Sequence, residues 1–384
     1  MNFDFDATQR QLGEEARRFL VSQSQSMEVR RVLDGERPYH AELWSELGQM
    51  GFTGAAIPEE YGGSGFGYLE LCVLAQELGR TVAAVPFSST VYLFAELIKA
   101  AGSERQKREW LPRVASAEIV GTVAWAEGAG PLYPDSIATT AFGGQLTGSK
   151  KPVLDGPIAD VAVVIAREQD DPAQLSLFTV ALDHPNVSRT ALECIDPTRG
   201  LAAVTFEHAP AERLGQRGDG MRLLSDVFDK AAVLVAFEQV GGAERALEMA
   251  CDYAKMRFAF GRPIGSFQAL KHMMADMYVS TVLARSNAYY GAWALSADAP
   301  VLPEAAAFAR VGATWSYQQC AKDNIQVHGG MGFTWEADCH LHYRRSNLLA
   351  LMLGGTSEWE SKLITNLTGE RCAVAKSALR ESVR

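Results

Sequence analysis

The sequence has no CxxC pair, no long apolar run and no surplus of basic residues, and each absence removes a class of function. Six cysteines (Cys72, Cys194, Cys251, Cys320, Cys339 and Cys372) are scattered singly over 384 residues. Without paired spacing they read as reduced, mostly packed thiols, not as a disulfide framework. No stretch approaches the roughly 18 consecutive apolar residues of a membrane helix. The start, Met1-Asn2-Phe3-Asp4-Phe5-Asp6, lacks the basic-then-apolar pattern of a leader. A soluble, cytoplasmic protein is expected, with no membrane partner. The formal charge of -10 argues against nucleic acid, because backbone phosphates need a basic face. An anionic ligand stays open to such a chain where arginines or backbone N–H groups gather locally.

Two suggestive segments also fall short. The glycine-rich stretch Pro58-Glu59-Glu60-Tyr61-Gly62-Gly63-Ser64-Gly65 has no lysine, so it is a turn between helices and not a phosphate-binding P-loop. His340 and His342 lie beside Cys339, but no carboxylate or third ligand follows at a metal-site spacing, and no metal is expected.

With 47% hydrophobic residues, a chain of this length buries a sizeable core and is expected to form two or three domains. Residues 1–117 are helical in pattern: Ala7-Thr8-Gln9-Arg10-Gln11-Leu12 opens one helix, and Leu71, Val73, Leu74 and Leu78 mark another. Residues 118–213 change character. Val161–Ala166, Leu177–Leu182 and Ala203–Phe206 are short β-branched runs bounded by turn residues, and Gly143-Gly144 reads as a hairpin turn. Residues 218–384 return to helical spacing. Apolar positions 233, 234, 237, 240, 247 and 250 mark one long helix, Leu270 to Tyr278 a second and Ala305 to Asn324 a third. The order is α–β–α, an α+β fold.

Three segments carry more. They are Arg257-Phe258-Ala259-Phe260-Gly261-Arg262-Pro263-Ile264-Gly265-Ser266-Phe267-Gln268, then Gln326-Val327-His328-Gly329-Gly330-Met331-Gly332-Phe333, then Leu353-Gly354-Gly355-Thr356-Ser357-Glu358. In this order and spacing, and over nearly the whole chain, they resemble the acyl-CoA dehydrogenase family. The resemblance implies an N-terminal helical domain, a middle β-barrel and a C-terminal four-helix bundle. It also implies FAD as cofactor, an acyl-CoA substrate and electron-transfer flavoprotein as electron acceptor. The assembly implied is a homo-dimer or tetramer, or a hetero-tetramer with a second acyl-CoA dehydrogenase subunit.

FAD in this family crosses a subunit interface, so its two halves separate. On the side facing the neighbour, Arg257 matches the arginine that holds the pyrophosphate, a task suited to a planar, permanently charged group. Phe260 matches a flavin-contacting aromatic, and Gln268 follows in step. Gln326, Gly329 and Gly330 match a turn whose backbone N–H groups approach the nucleotide, and Thr356 matches a hydroxyl contact near the dinucleotide. On the flavin side the family's polar run is Ala126-Glu127-Gly128-Ala129-Gly130-Pro131-Leu132-Tyr133 here, and its W-x-T is Pro152-Val153-Leu154. Each lost hydrogen bond is worth about 0.5–1.5 kcal/mol, so losing two or three weakens FAD binding by roughly one to three powers of ten. Phe228 and Asp229 match the stretch lining the CoA channel, whereas a following arginine is Ala232.

The base is missing. Desaturation needs a carboxylate for the α-proton, and the family's two positions for it are Gly354 and Ala231 here. No catalytic residue is assigned. Glu238 and Glu358 lie nearby in sequence and read as solvated or ion-paired acids. The favoured reading is a subunit that completes the FAD site of a partner carrying the glutamate, resembling paired dehydrogenases of bacterial steroid and side-chain degradation. The alternatives are a self-sufficient, desulfinase-like flavoenzyme that needs no glutamate and a catalytically inactive scaffold subunit.

Overall fold

The structure, a computed structural model, describes residues 5–381, with side chains over residues 5–368. The acidic start at residues 1–4 lies outside the described residues, and the Cys372 thiol lies outside the described side chains.

Six helices come first: α1 (Ala7–Gln23), α2 (Ser26–Leu33), α3 (Ala41–Gln49), α4 (Tyr68–Arg80), α5 (Ala95–Ala101) and α6 (Glu104–Ala115). Asp6 starts α1 with a capping box, its carboxylate accepting Gln9 N–H while the Gln9 side chain takes Asp6 N–H. A π-helical turn, Ser88–Phe94, runs straight into α5.

Eight strands follow: β1 (Gly121–Ala124), β2 (Thr140–Phe142), β3 (Gln145–Leu154), β4 (Val161–Glu168), β5 (Leu175–Ala181), β6 (Val187–Leu192), β7 (Leu201–Pro210) and β8 (Glu212–Leu214). They form one sheet in the order β6-β7-β3-β2-β4-β5-β8, with β1 pairing β4 in parallel. The ladder path ends at β6 and β8, so among the described residues the sheet is open where a barrel was expected. Gly143 and Gly144, both at positive φ, make the hairpin turn between β2 and β3. β4 is buried on both faces. Val161, Val163 and Ile165 join the helical core, while Ala162, Val164 and Ala166 pack with Phe178, Val204 and Phe206 in a second core.

The last part holds α7 (Gly220–Met256), the hairpin β9 (Phe258–Ala259) and β10 (Arg262–Pro263), then α8 (Gln268–Ser296), α9 (Leu302–His328), α10 (Cys339–Leu351) and α11 (Thr356–Glu381). α9 packs against α7, α8, α10 and α11, making five helices of the expected four-helix bundle. α4 crosses α7 at Gly79 and Gly241. A Cβ on either would meet a backbone carbonyl oxygen of the other helix, at 1.8 Å from Glu238 O and 1.9 Å from Gln76 O, so only glycine permits this approach.

Buried charge joins the three regions. Arg345 of α10, fully buried, donates to Asp196 at 2.7 Å, to Thr198 and to the Ala83 carbonyl, and lies 3.5 Å from Glu238 of α7. Arg199 pairs with Asp155 at 2.6 Å and donates to Ser88, while Ser89 donates to the same Asp155 carboxylate. His342 is buried beside them, its Nδ1 3.1 Å from the Tyr317 hydroxyl.

Removing one partner of a buried pair strands the other charge, at a cost of about 3–5 kcal/mol. Arg345→Ala is therefore expected to lose that much stability in denaturant unfolding; a loss below about 1 kcal/mol would contradict the network's role. Burial, and after it the charges of Arg245, Arg345 and Arg80, holds the His342 pKa down at about 3. The unfolded chain takes up a proton near pH 6.5 that the folded protein refuses. Stability from this group is thus intact above about pH 6.5 and falls below it, by about 1.4 kcal/mol per pH unit. Unfolding curves between pH 6.5 and 5 should show that slope flattened in His342→Gln.

Candidate functional site

α7 ends at Arg257, whose backbone N–H closes on Tyr253 O. The hairpin that follows turns at Phe260 (φ +52) and Gly261 (φ +76). Phe260 is 94% exposed, in edge contact with Phe267 at 6.2 Å, and Arg262 lies over the Phe267 ring at 4.1 Å. Tyr253 stacks on His328 with centroids 4.1 Å apart, which brings the end of α7 against the end of α9. Arg257, Phe260 and Gln268 thus come together with Gln326, Gly329 and Gly330 at one end of the helical bundle. All six are exposed, and the Arg257 guanidinium has no ion-pair partner among the described residues. A Cβ at Gly329 (φ +58) or Gly330 would meet nothing within 4 Å, so the backbone there is open to close approach. Gln326 also borders a cavity of about 490 Å³ lined by Phe333, Trp335, Tyr343 and Arg344.

Thr356 is placed elsewhere. It opens α11, which packs on the middle of α9, where Trp315 Nε1 donates to Glu360 at 3.4 Å. Eleven residues of α9 separate Trp315 from Gln326, about 16 Å along the axis. One chain therefore does not gather all the predicted dinucleotide contacts at one point.

Thr356 lies instead next to a second cavity of about 260 Å³, bordered by Gly354 just before α11, by Glu358, Trp359 and Lys362 from its first turns, and by Trp125 and Leu132 from the loop after β1. α7 contributes Met221, Leu224, Ser225 and Phe228, a helical i, i+3, i+4, i+7 face. Phe228 meets Trp125 edge-on at 5.1 Å. Asp229 is turned away: buried, its carboxylate is held by Lys362, which also lies over the Trp359 ring. Burial raises the Asp229 pKa, with Lys362 opposing. Its partner, 133 residues distant in sequence, was not legible as such.

Gly354 sits at φ +94, and a Cβ there would come 3.0 Å from Glu358 Oε2. Glu358 is turned back on its own helix start, accepting Gly355 N–H at 3.0 Å. Among the described residues it is the one carboxylate lining this cavity, and its first role is a cap. Ala231 is fully buried inside the bundle, and Glu238 belongs to the Arg345 network. The sequence expectation of a solvated or paired acid thus meets two different outcomes.

On the sheet side, Gly128 (φ +145) and Gly130 (φ +111) open into free space, so the loop's backbone remains approachable. Glu127 pins that loop. Its carboxylate accepts Ala138 N–H at 2.7 Å, Thr139 N–H at 3.0 Å and Lys150 Nζ at 2.6 Å. Burial drives the Lys150 pKa down to about 8 against the raising effect of Glu127. Pro152 is exposed on the adjoining strand β3, and Val153 and Leu154 are buried. The residues present fit the dinucleotide half of FAD, through Arg257 and the open glycines. At the flavin half only the loop backbone remains.

His340 stacks on Trp335, whereas His342 points into the core, so the pair does not share a metal. Among the described residues no group of three or more metal-ligating side chains converges, and no helix is long and apolar enough to cross a membrane.

Comparison with known proteins gives the family. The models "Acyl-CoA dehydrogenase, N-terminal domain" and "Acyl-CoA dehydrogenase, C-terminal domain" match residues 6–118 and 218–367. The chain belongs to the acyl-CoA dehydrogenase family, FAD flavoproteins that oxidise CH–CH bonds. It is 34% identical to acyl-CoA dehydrogenase IpdE2 of Mycobacterium tuberculosis, over 86% of this chain and 88% of that protein. Among solved structures it resembles the ChsE4-ChsE5 complex of the same organism (27% identity, TM-score 0.86, covering 96% of this chain and 99% of that one). It also resembles a variant of the Tcur3481-Tcur3483 steroid ACAD (30% identity, TM-score 0.85, 95% and 99%).

Glu127→Ala should leave the Lys150 ammonium buried with only the Trp125 carbonyl, costing about 3–5 kcal/mol. Urea unfolding measures it, and a change under about 1 kcal/mol would contradict the pinning role.

Proposed function

We propose that this chain is a subunit of a hetero-oligomeric acyl-CoA dehydrogenase that carries out FAD-linked α,β-desaturation of an acyl-CoA thioester. In this reading it supplies the dinucleotide-facing half of a site whose carboxylate base belongs to a partner subunit. One contrast carries the proposal. Arg257, Gly329 and Gly330 stand exposed and open at one end of the bundle. At the other end, Gly354 and the packed Ala231 leave the cavity without an acid placed for the α-proton. Similarity to chains solved as two-component complexes, ChsE4-ChsE5 and Tcur3481-Tcur3483, supports it.

Bound FAD supplies the two-electron acceptor, and electron-transfer flavoprotein then takes the electrons. What this chain does is positioning. Arg257 holds the pyrophosphate by charge-assisted hydrogen bonds, and Gly329 and Gly330 offer backbone N–H groups with no side chain in the way. Gln326, Phe260 and Gln268 flank them, and Thr356 serves the other face of the interface. Phe228 walls the acyl-CoA side. Lys362 neutralises Asp229, which spares the thioester channel a buried negative charge. We read residues 1–117, 118–213 and 218–384 as the three domains of this subunit, the middle one a barrel-like open sheet.

Arg257→Ala tests the assignment. Losing a bidentate charged contact is worth about 1.5–3 kcal/mol, so FAD in the co-expressed complex should bind roughly ten- to a hundredfold more weakly. Flavin released on dialysis against apo-buffer measures this. Unchanged occupancy would overturn the role of Arg257.

A further inference from the structure

A third cavity, of about 440 Å³, lies where the corner between α1 and α2 faces the end of α4, the flank of α7 and the start of α10. It shares no lining residue with the Gly354 cavity or with the Gln326 end of the bundle. Val21, Val29, Met249 and Leu341 form an apolar wall; Arg80, Arg245, His342 and the first residues of α2 form a polar one.

The polar wall is built from donors. α2 starts at Ser26 after Gln25, which gives it no side-chain cap. The Gln25 carbonyl takes Glu28 and Val29 N–H, while the Ser26 and Met27 N–H groups have no partner among the described residues. The positive end of the helix dipole is therefore left at the cavity's edge. Arg245 commits one nitrogen, to Glu248 at 3.3 Å, a carboxylate it shares with Arg80 at 2.7 Å. Arg80 also approaches Glu244 at 3.4 Å. The one acid lining the cavity among the described residues, Asp338, is taken by Arg30 at 2.7 Å.

His342 is the second observation. It is 96% buried by its 4% exposure, yet it lines the cavity. Its Nδ1 is occupied by Tyr317, while Nε2 has no hydrogen-bond partner among the described residues. With the Tyr317 O–H donating to Nδ1, the neutral ring carries its proton on Nε2, a spare donor on a ring that lines the cavity. The ring's neutrality fits its surroundings: after burial, every charge acting on it is a guanidinium, from Arg245, Arg345 and Arg80. The floor of the cavity is thus lined by hydrogen-bond donors, although Arg80 also pairs with Glu77, at 3.7 Å.

We propose that this cavity binds a small organic anion, its carboxylate or phosphate held by Arg245, Arg80, His342 and the free N–H groups of α2, its apolar part against Val29 and Leu341. Such a ligand bridges the N-terminal helices to α7 and α10, away from the acyl-CoA chemistry.

The test is calorimetric titration of the assembled complex with citrate and, separately, with inorganic phosphate at constant ionic strength. Saturable binding of either or both, one per chain, is expected, and which probe binds assigns carboxylate or phosphate. Ser26→Asp places a negative charge at the start of α2, where it favours the helix dipole but repels the ligand. It should weaken binding by about tenfold or more without lowering the ligand-free melting temperature, and Arg245→Gln should weaken it too. Arg105→Gln, on the distant surface of α6, should change nothing. Absence of saturable heat with both probes, or equal affinity in Ser26→Asp and Arg105→Gln, overturns the proposal.

Discussion

The buried guanidinium of Arg345 is the constraint that everything else answers to. It cannot stay charged inside the protein unless Asp196, Thr198 and the Ala83 carbonyl all reach it, and these come from the loop between β6 and β7 and from the turn after α4. Its neighbour pair, Arg199 with Asp155, does the same for the π-helical turn through Ser88 and Ser89. Such a network leaves one docking arrangement of helices on sheet, since any other would expose unpaired charge to an apolar interior. Asp155 directly follows Leu154, so the same network fixes the end of β3, which bridges to the Glu127 loop at Lys151.

That arrangement gives one chain two incomplete ends. The Arg257 end offers donors and open backbone without anything of its own to hold. The Gly354 end offers an aromatic-walled cavity whose lining carboxylate, Glu358, is engaged as a helix cap. A glycine there is not a simple deletion: at φ +94, with Glu358 folded back 3.0 Å from the missing Cβ, the position is built around having no side chain. Restoring a glutamate at 354 would require both a strained backbone and a displaced cap. The absence of a side chain at 354 is thereby embedded in the local structure, which fits the subunit role proposed above.

Much of this was legible in the sequence where the signal was periodic or local. The long helices read true because their apolar positions repeat at helical spacing, and Gly143-Gly144 announced its hairpin. The sheet was harder. β1 has four residues and pairs in parallel with β4 across a gap of nearly forty, a pairing no local pattern encodes. The closed barrel came from resemblance, and the ladder stays open at β6 and β8. At the candidate site, Arg257 and Gly329 carried a local motif signal, and the fold leaves both exposed at one end of the bundle. The cavity around Gly354 could not, since Trp125, Phe228 and Trp359 meet only after three distant segments pack. The face Met221, Leu224, Ser225, Phe228 was a signal available and unused. Asp229 needed knowledge of Lys362, and Glu238 and Glu358, alike in sequence, part company through burial alone.

Flavin content tests the central claim most directly. The chain purified alone, and the chain co-purified with an acyl-CoA dehydrogenase subunit that carries the catalytic glutamate, are compared by visible absorbance and by FAD released per chain. The account predicts a colourless or substoichiometric isolated chain, and a yellow complex whose flavin is bleached by acyl-CoA. A full complement of FAD in the isolated chain, reduced by acyl-CoA without any partner, would contradict it.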